Sequence, residues 1–169
     1  MEITQDKVKE LFEYRDGALF WQNRTVNSLG RCNKYLNGKP TGTYDSHGYL
    51  QTKINGKLYR NHRLVFLMFY GYMPKILDHV NGVREDNRIE NLRPATVSQN
   101  NHNMRLRKDN TSSVKNVCFN KTSNVWQVRI MINNKNKSFG NYEDLELAEL
   151  VAIEARNKLH KEYANHGKY

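Results

Sequence analysis

The spacing of hydrophobic positions changes several times along the chain, and each change marks a predicted element. Val8, Leu11 and Phe12 fall at helical spacing after Thr4, a residue type that caps helix N-termini, which predicts a short amphipathic helix from about Thr4 to Tyr14. Asp16-Gly17 then turns the chain into Ala-Leu-Phe-Trp-Gln. Further on, Tyr49, Thr52 and Ile54 precede Asn55-Gly56, and Leu58 and Tyr59 follow it. An Asn-Gly pair between such runs predicts a β-hairpin closed by a type I′ turn. The segment His62–Tyr70 is strongly apolar and bounded by Gly71 and Pro74, so a buried helix is expected beneath that hairpin.

From Ile76 an apolar strand end meets a turn, a polar loop and an Asn-rich segment expected to be helical. Arg105–Ser113 has no hydrophobic periodicity and reads as a basic linker. After it, VKNVCFN, VWQVRIMI and NKSFGNY are short alternating segments separated by KTSN and NNK, the signature of a three-stranded meander. From Asp144 the period becomes helical, with Leu147, Ala148, Val151, Ala152, Ala155 and Leu159 on one face expected to cover the sheet. The pattern divides the chain into residues 1–103, a linker over 104–113, and residues 114–169.

Charge narrows the range of partners. The formal net charge is +10 and the isoelectric point about 9.6, an excess that favours a polyanion, because Lys and Arg displace counterions from phosphates. The excess is uneven: Met104–Asn141 holds eight basic residues against one acidic, a net +7, whereas Tyr142–Tyr169 holds four against six. No apolar run approaches the ~20 residues of a membrane span, and the N-terminus lacks the apolar core of a signal peptide, so a cytoplasmic protein without a membrane partner is expected. Cys32 and Cys118 lie far apart in no paired spacing, which predicts free thiols and no structural zinc.

The chemistry is concentrated in one segment. Leu77-Asp78-His79-Val80-Asn81-Gly82, then Asp86-Asn87-Arg88-Ile89-Glu90-Asn91-Leu92-Arg93, then Gln99-Asn100-Asn101-His102-Asn103, resembles the HNH nucleases of phages and mobile introns, and HRLVFLMFYGYMP resembles their lead-in. The resemblance implies an α+β protein whose N-terminal part is a ββα-metal nuclease module with a hairpin and helix lead-in, acting as an endonuclease on double-stranded DNA. Phosphodiester hydrolysis needs an activated water, charge stabilisation at phosphorus and help for the leaving oxygen. A neutral histidine, with an ordinary pKa of about 6.5, accepts a proton at physiological pH, which makes His79 the candidate general base. Asp78 and the side-chain carbonyl of Asn100 are oxygen donors suited to one hard divalent cation, Mg2+ or Mn2+. Asn91 matches the middle Asn of the motif, and its implied role is to hydrogen-bond the loop that orients the base. Where the family name calls for a final His this chain has Asn100, with His102 and Asn103 as alternatives. Arg93 and Arg88 are candidates for touching the scissile phosphate. Taken alone, Asp78-His79 would read as a turn dipeptide, and His62 as a structural residue that could also approach the site. His47, His160 and His166 have no partner visible in the sequence.

Ser113–Gly167 resembles the APETALA-type DNA-binding domain of plant ethylene-response factors and some phage nucleases, through Val117, the Trp126–Ile130 strand, Phe139-Gly140-Asn141-Tyr142 and the Ala-rich helix. The resemblance implies a small antiparallel sheet plus helix that grips DNA. Alternation puts Val117, Phe119, Trp126, Val128, Ile130 and Ile132 on the face for the helix, leaving Cys118, Asn120, Gln127, Arg129 and Met131 on the other. Asn120, Gln127 and Arg129 are thus candidates for reading bases, and Arg105, Arg107, Lys108 and Lys115 for contacting phosphates. Two other functions compete: a DNA-binding regulator whose nuclease centre has decayed, and an RNA-binding module. The latter lacks an obvious aromatic pair on the exposed face.

Overall fold

The computed structural model describes residues 3–22, 36–132 and 135–167, so Cys32 lies outside the described residues, and Cys118 is an exposed free thiol. The chain is a mixed α+β protein with small antiparallel sheets, in two units that meet between Thr96 and Val97.

The first unit opens with α1 (Gln5–Leu11), capped by the Thr4 hydroxyl, which accepts from Lys7 N at 3.3 Å. The helix is shorter than its periodicity predicts. Phe12–Arg15 instead forms β1 and pairs with β2 (Ala18–Trp21) in the register Phe12↔Trp21, around a turn in which Asp16 and Gly17 both take positive φ. Pairing saturates the backbone and buries Phe12 against Trp21, with ring centroids 4.5 Å apart, so tertiary contact overrides local periodicity.

β3 (Thr43–Tyr44), β4 (Leu50–Ile54) and β5 (Lys57–Arg60) follow as an antiparallel sheet, the last two joined at Asn55-Gly56 with φ of 47° and 82°, as a type I′ turn requires. α2 (Asn61–Tyr70) runs directly from β5 and ends at Gly71 in the left-handed conformation. It supplies Leu64, Val65, Phe66, Leu67 and Met68 to a core shared with α1, β1 and β2. A buried polar knot fixes its start: Asn61 donates to Thr41 O at 2.9 Å and accepts from the Thr52 hydroxyl at 2.7 Å. The unit closes with β6 (Leu77–His79) paired to β7 (Leu92–Pro94).

The second unit begins with α3 (Val97–His102). Residues 103–116 contain no helix or strand, yet Asn103, Ser112 and Val114 are buried; the Ser112 hydroxyl donates to Val117 O at 2.7 Å and ties this stretch to the sheet. The sheet is β8 (Val117–Asn120), β9 (Val125–Ile132) and β10 (Lys135–Tyr142) in the order β10-β9-β8, and α4 (Leu145–His160) packs on it, capped by Asp144. The helix is turned relative to the predicted stripe. Ala148, Ala152, Ala155, Arg156 and His160 are buried, while Leu147 and Leu159 are 49% and 37% exposed. Alanines let the helix approach closely, and Trp126, Phe139 and Tyr142 fill the space from the sheet side. Arg156 is wholly buried: its guanidinium donates to Lys115 O and, at 3.2 Å, to His166 Nδ1.

Gly17 meets the backbone of another loop. A Cβ added there would sit 2.9 Å from Arg88 N and 3.3 Å from Asn87 C, at a φ of +85°. Gly17→Ala is expected to destabilise the protein by at least about 1–2 kcal/mol from the left-handed conformation alone, the overlap adding to it, as measured by urea unfolding. A variant as stable as the parent would show that the hairpin tip and the loop can part without loss.

Candidate active site

β6 and β7 are short, three residues each, and bring Asp78 opposite Arg93 and His79 opposite Leu92. Residues 80–91 between them contain only one 3-10 turn, Ile89–Asn91, so side chains must hold the loop. Asn91 does much of this. Its side chain accepts from Asn81 N at 3.0 Å and donates to Asn81 Oδ1 at 3.0 Å and Asp86 O at 2.7 Å. Asn81 in turn donates to Asp86 Oδ2 at 2.7 Å. Arg88 engages both carboxylate oxygens of Asp86 at 2.8 and 2.7 Å and, with help from Asn81, holds that carboxyl down to about 2. Arg88, a candidate phosphate contact, is thus committed to an ion pair.

Asp78 and His79 are 6% and 5% exposed. Asp78 Oδ2 accepts from Arg93 Nε and Nη2, each at 3.0 Å, so Arg93 stands on the candidate ligand carboxylate. His79 Nε2 lies 3.1 Å from Asn87 Oδ1. Its ring packs at 5.0 Å, nearly edge-on, against His62, and at 6.0 Å from Tyr49. Burial lowers the His79 pKa from its ordinary value, while the Asn87 bond and the Asp78 charge pull the other way. Burial, reinforced by His79, pushes His62 down to about 3. Tyr49 carries cations on its ring: the guanidinium carbons of Arg60 and Arg84 lie 4.3 and 5.2 Å from its centroid.

Sequence reasoning singled out Asp78, His79, Asn91 and Arg93, which the first unit brings together, and weighed His62, which sits against His79. It missed Asn87, Tyr49 and Arg84. Asn87 is 2% exposed although it lies in a polar run, and the signal would have been tertiary: the β1–β2 tip covers its backbone, and Tyr14 Oη accepts from Ile89 N at 3.1 Å.

In the second unit, Asn100 lies half-buried on α3, with His102 two residues on. The His102 and His160 rings stack at 3.7 Å, and burial lowers both, His160 to about 4. Arg105, Arg107 and Lys108 are exposed, and Arg107 pairs with Asp109 at 3.0 Å. Lys115 is turned inward, donating to His102 O at 2.8 Å and Met104 O at 2.5 Å, and burial lowers it to about 8. On the sheet face opposite α4, Arg129 and Met131 are exposed and Gln127 is half-buried. Asn120 uses its carbonyl to accept from Thr122 N at 3.0 Å, closing the β8–β9 turn. Phe119, placed on the helix side, is 39% exposed and packs at 4.7 Å on Trp126.

A hydrogen-bonded loop bridging two short strands, with a buried Asp-His pair on the first, is the setting in which comparison with known proteins becomes informative. Residues 59–102 match the HNH endonuclease family. The chain is also similar to Protein 3.8 of Escherichia phage T7, at 29% identity over 107 residues, covering 62% of this chain and 88% of that protein. No solved structure matches. Among the described residues, no helix is long and apolar enough to cross a membrane.

His62 gives the first unit an acid sensitivity. Its neutral form is buried, whereas in the unfolded chain it titrates near its ordinary value of about 6.5, so the unfolded state binds the proton more readily. The stabilisation is complete above that value and is lost as pH falls towards about 3. His62→Phe, which keeps a ring but removes the titration, is expected to flatten the fall of melting temperature with acid. Equal acid sensitivity in both proteins would exonerate His62.

Proposed function

We propose that the chain is a metal-dependent endonuclease that hydrolyses phosphodiester bonds of double-stranded DNA, with His79 as general base. The observation that carries this reading is the buried His79, whose burial favours the neutral ring and whose Nε2 lies 3.1 Å from Asn87 Oδ1, next to Asp78 within the segment that matches the family. Neutral His79 takes a proton from water as the water oxygen bonds to phosphorus, and the P–O3′ bond breaks. Arg84, on the Tyr49 ring beside His79, is suited to meeting the phosphate, whereas Arg60 on the same ring is paired with Asp45 at 3.1 Å.

Among the described residues no group of three or more His, Cys, Asp or Glu side chains could hold a metal ion. The oxygen donors proposed from the sequence are the Asp78 carboxylate, in the first unit, and the Asn100 side-chain carbonyl, in the second, each of the hard kind that Mg2+ or Mn2+ prefers. When bound, such a cation supplies charge for the pentavalent phosphate and the departing oxygen. Asn91 acts on His79 through the loop it clamps.

The second unit is the grip in this reading, an APETALA-type sheet and helix with the basic stretch before it. Arg105 and Lys108 are proposed for phosphates, since Lys115 is held inward by the His102 and Met104 carbonyls and Arg107 is paired with Asp109, and Asn120, Gln127 and Arg129 are proposed for base edges. The phage relative supports a phage setting; a homing-type role in a phage or mobile element, acting in the cytoplasm of a bacterial host, is part of the proposal.

His79→Ala is expected to abolish cleavage of supercoiled DNA while leaving affinity unchanged, because the base acts on water and adds little positive charge. Chelation by EDTA should stop the wild-type reaction, and Mg2+ or Mn2+ should restore it; full activity in a metal-free preparation would end the metal-dependent reading.

Lys108→Ala and Lys121→Ala should each flatten the salt dependence of binding by roughly 0.9 in log-log slope. Arg129→Ala should cost about 1–3 kcal/mol at a preferred site and less elsewhere. Uniform weakening across sequences would demote Arg129 to a phosphate contact.

A further inference from the structure

We propose that Asn141 is a further specificity-determining residue of the second unit, turned by a β-bulge in β10 onto the sheet face away from α4 beside Gln127, and that this pair of carboxamides selects adenine in the major groove. The proposal rests on the reading of the second unit as the DNA grip.

Strict alternation along β10 would put Lys137, Phe139 and Asn141 on one face, and Lys137 lies opposite Ile130, which shares the α4 side of β9 with Val128. By that count Asn141 would meet Trp126 on the helix side. The ladder instead slips by one residue. Ser138 pairs with Arg129, but Asn141 pairs with Gln127 and Tyr142 with Trp126. One extra residue in a strand exchanges the faces of everything after it. Tyr142 thereby joins Phe139 in the core beneath α4, and Asn141 emerges exposed on the other face. Gly140 makes the slip possible: its φ is +121°, and a Cβ there would overlap the Tyr142 hydroxyl, which donates to Phe139 O at 2.7 Å and closes the bulge.

On the outer face Cys118, Gln127 and Asn141 form one row across the three strands, next to the Arg129–Ser138 pair. Directly paired residues hold their Cβ atoms about 5 Å apart, so the two carboxamides stand side by side. Both are neutral and add nothing to the attraction for phosphates that Lys and Arg supply. What a carboxamide offers is a donor and an acceptor in one plane. In the major groove adenine presents the complement, a donor at N6 and an acceptor at N7, whereas guanine offers two acceptors and cytosine a donor. Asn120 is less well placed for this, because its side-chain carbonyl already accepts from Thr122 N at 3.0 Å and holds the β8–β9 turn. Counting alternate positions hides Asn141 among core residues, and only the observed register brings it out.

The test is selection of duplexes from a randomised pool by the full chain in EDTA, read by sequencing, for the wild type, Asn141→Ala and Asn141→Asp. Because Asn141 is exposed, all three should melt at the same temperature. The wild type is expected to enrich a motif containing adenine. Asn141→Ala should relax the preference at one adenine position and bind the parent site on the order of 10–100-fold more weakly, with the other positions and the salt slope intact. Asn141→Asp keeps the shape but can only accept, so the preference at that position should move to cytosine, whose N4 amino group donates. A merely structural role would not produce that exchange. An unchanged adenine preference in both variants, or a loss of affinity equal for all sequences, overturns the role of Asn141 and leaves the grip standing. A wild type that enriches no motif overturns both.

Discussion

Residues 80–91 have to bury polar groups without a sheet or helix long enough to satisfy them, and the hydrogen bonds of Asn91 resolve that constraint. A ribbon of three residues per strand cannot dictate the path of the connecting loop. Closing the loop through one carboxamide fixes Asn81 and Asp86 together, and Asp86 then anchors Arg88. Asn87 lies between these anchored residues, so its side chain has little choice of direction and meets His79. Asn81, Asp86 and Asn91 find partners inside the loop, and Ile89 N finds Tyr14 outside it, which lets Asn87 and Asn91 be buried while Val83, Arg84 and Glu85 stay exposed.

The electrostatics of the two facing imidazoles follow from the same burial. Rings 5.0 Å apart in a poorly hydrated site cannot both be charged, and the deeper effect falls on His62, which stays neutral to about 3. It serves His79 as a flat, uncharged wall. His79 feels burial too, but Asn87 and Asp78 offset part of it. Arg93 on Asp78 balances a carboxylate that would otherwise be buried with its full charge.

The turns were legible in the sequence because their chemistry is local: Asp16-Gly17 and Asn55-Gly56 tolerate positive φ wherever they occur. Asp78, His79 and Asn91 were legible as an ordered motif. Asn87 and Tyr49 were not, since their importance comes from neighbours distant along the chain: Gly17 over Asn87, and Arg60 and Arg84 on Tyr49. Helical spacing at Phe12 was misleading because the same residues also suit a strand, and pairing with Ala18–Trp21 decided the matter. The stripe on α4 was misread for a packing reason. Period identifies a helix, but whether Leu or Ala faces the sheet depends on how much room Trp126, Phe139 and Tyr142 leave.

The second unit illustrates the difference between formal and presented charge. Met104–Asn141 carries a net +7 on paper, yet Lys115 spends its ammonium on the carbonyls of His102 and Met104, and Arg107 is paired with Asp109. Freeing Lys115 for a phosphate would strip two backbone acceptors of their donor, a cost that attraction to DNA has to exceed. Arg156 beneath it is locked by Lys115 O and His166, which makes the inward pose part of the fold. If the second unit grips DNA as proposed, the counterions displaced are set by side chains such as Lys108, Lys121 and Arg129, which are exposed, and the salt dependence should be shallower than the net charge of the segment implies.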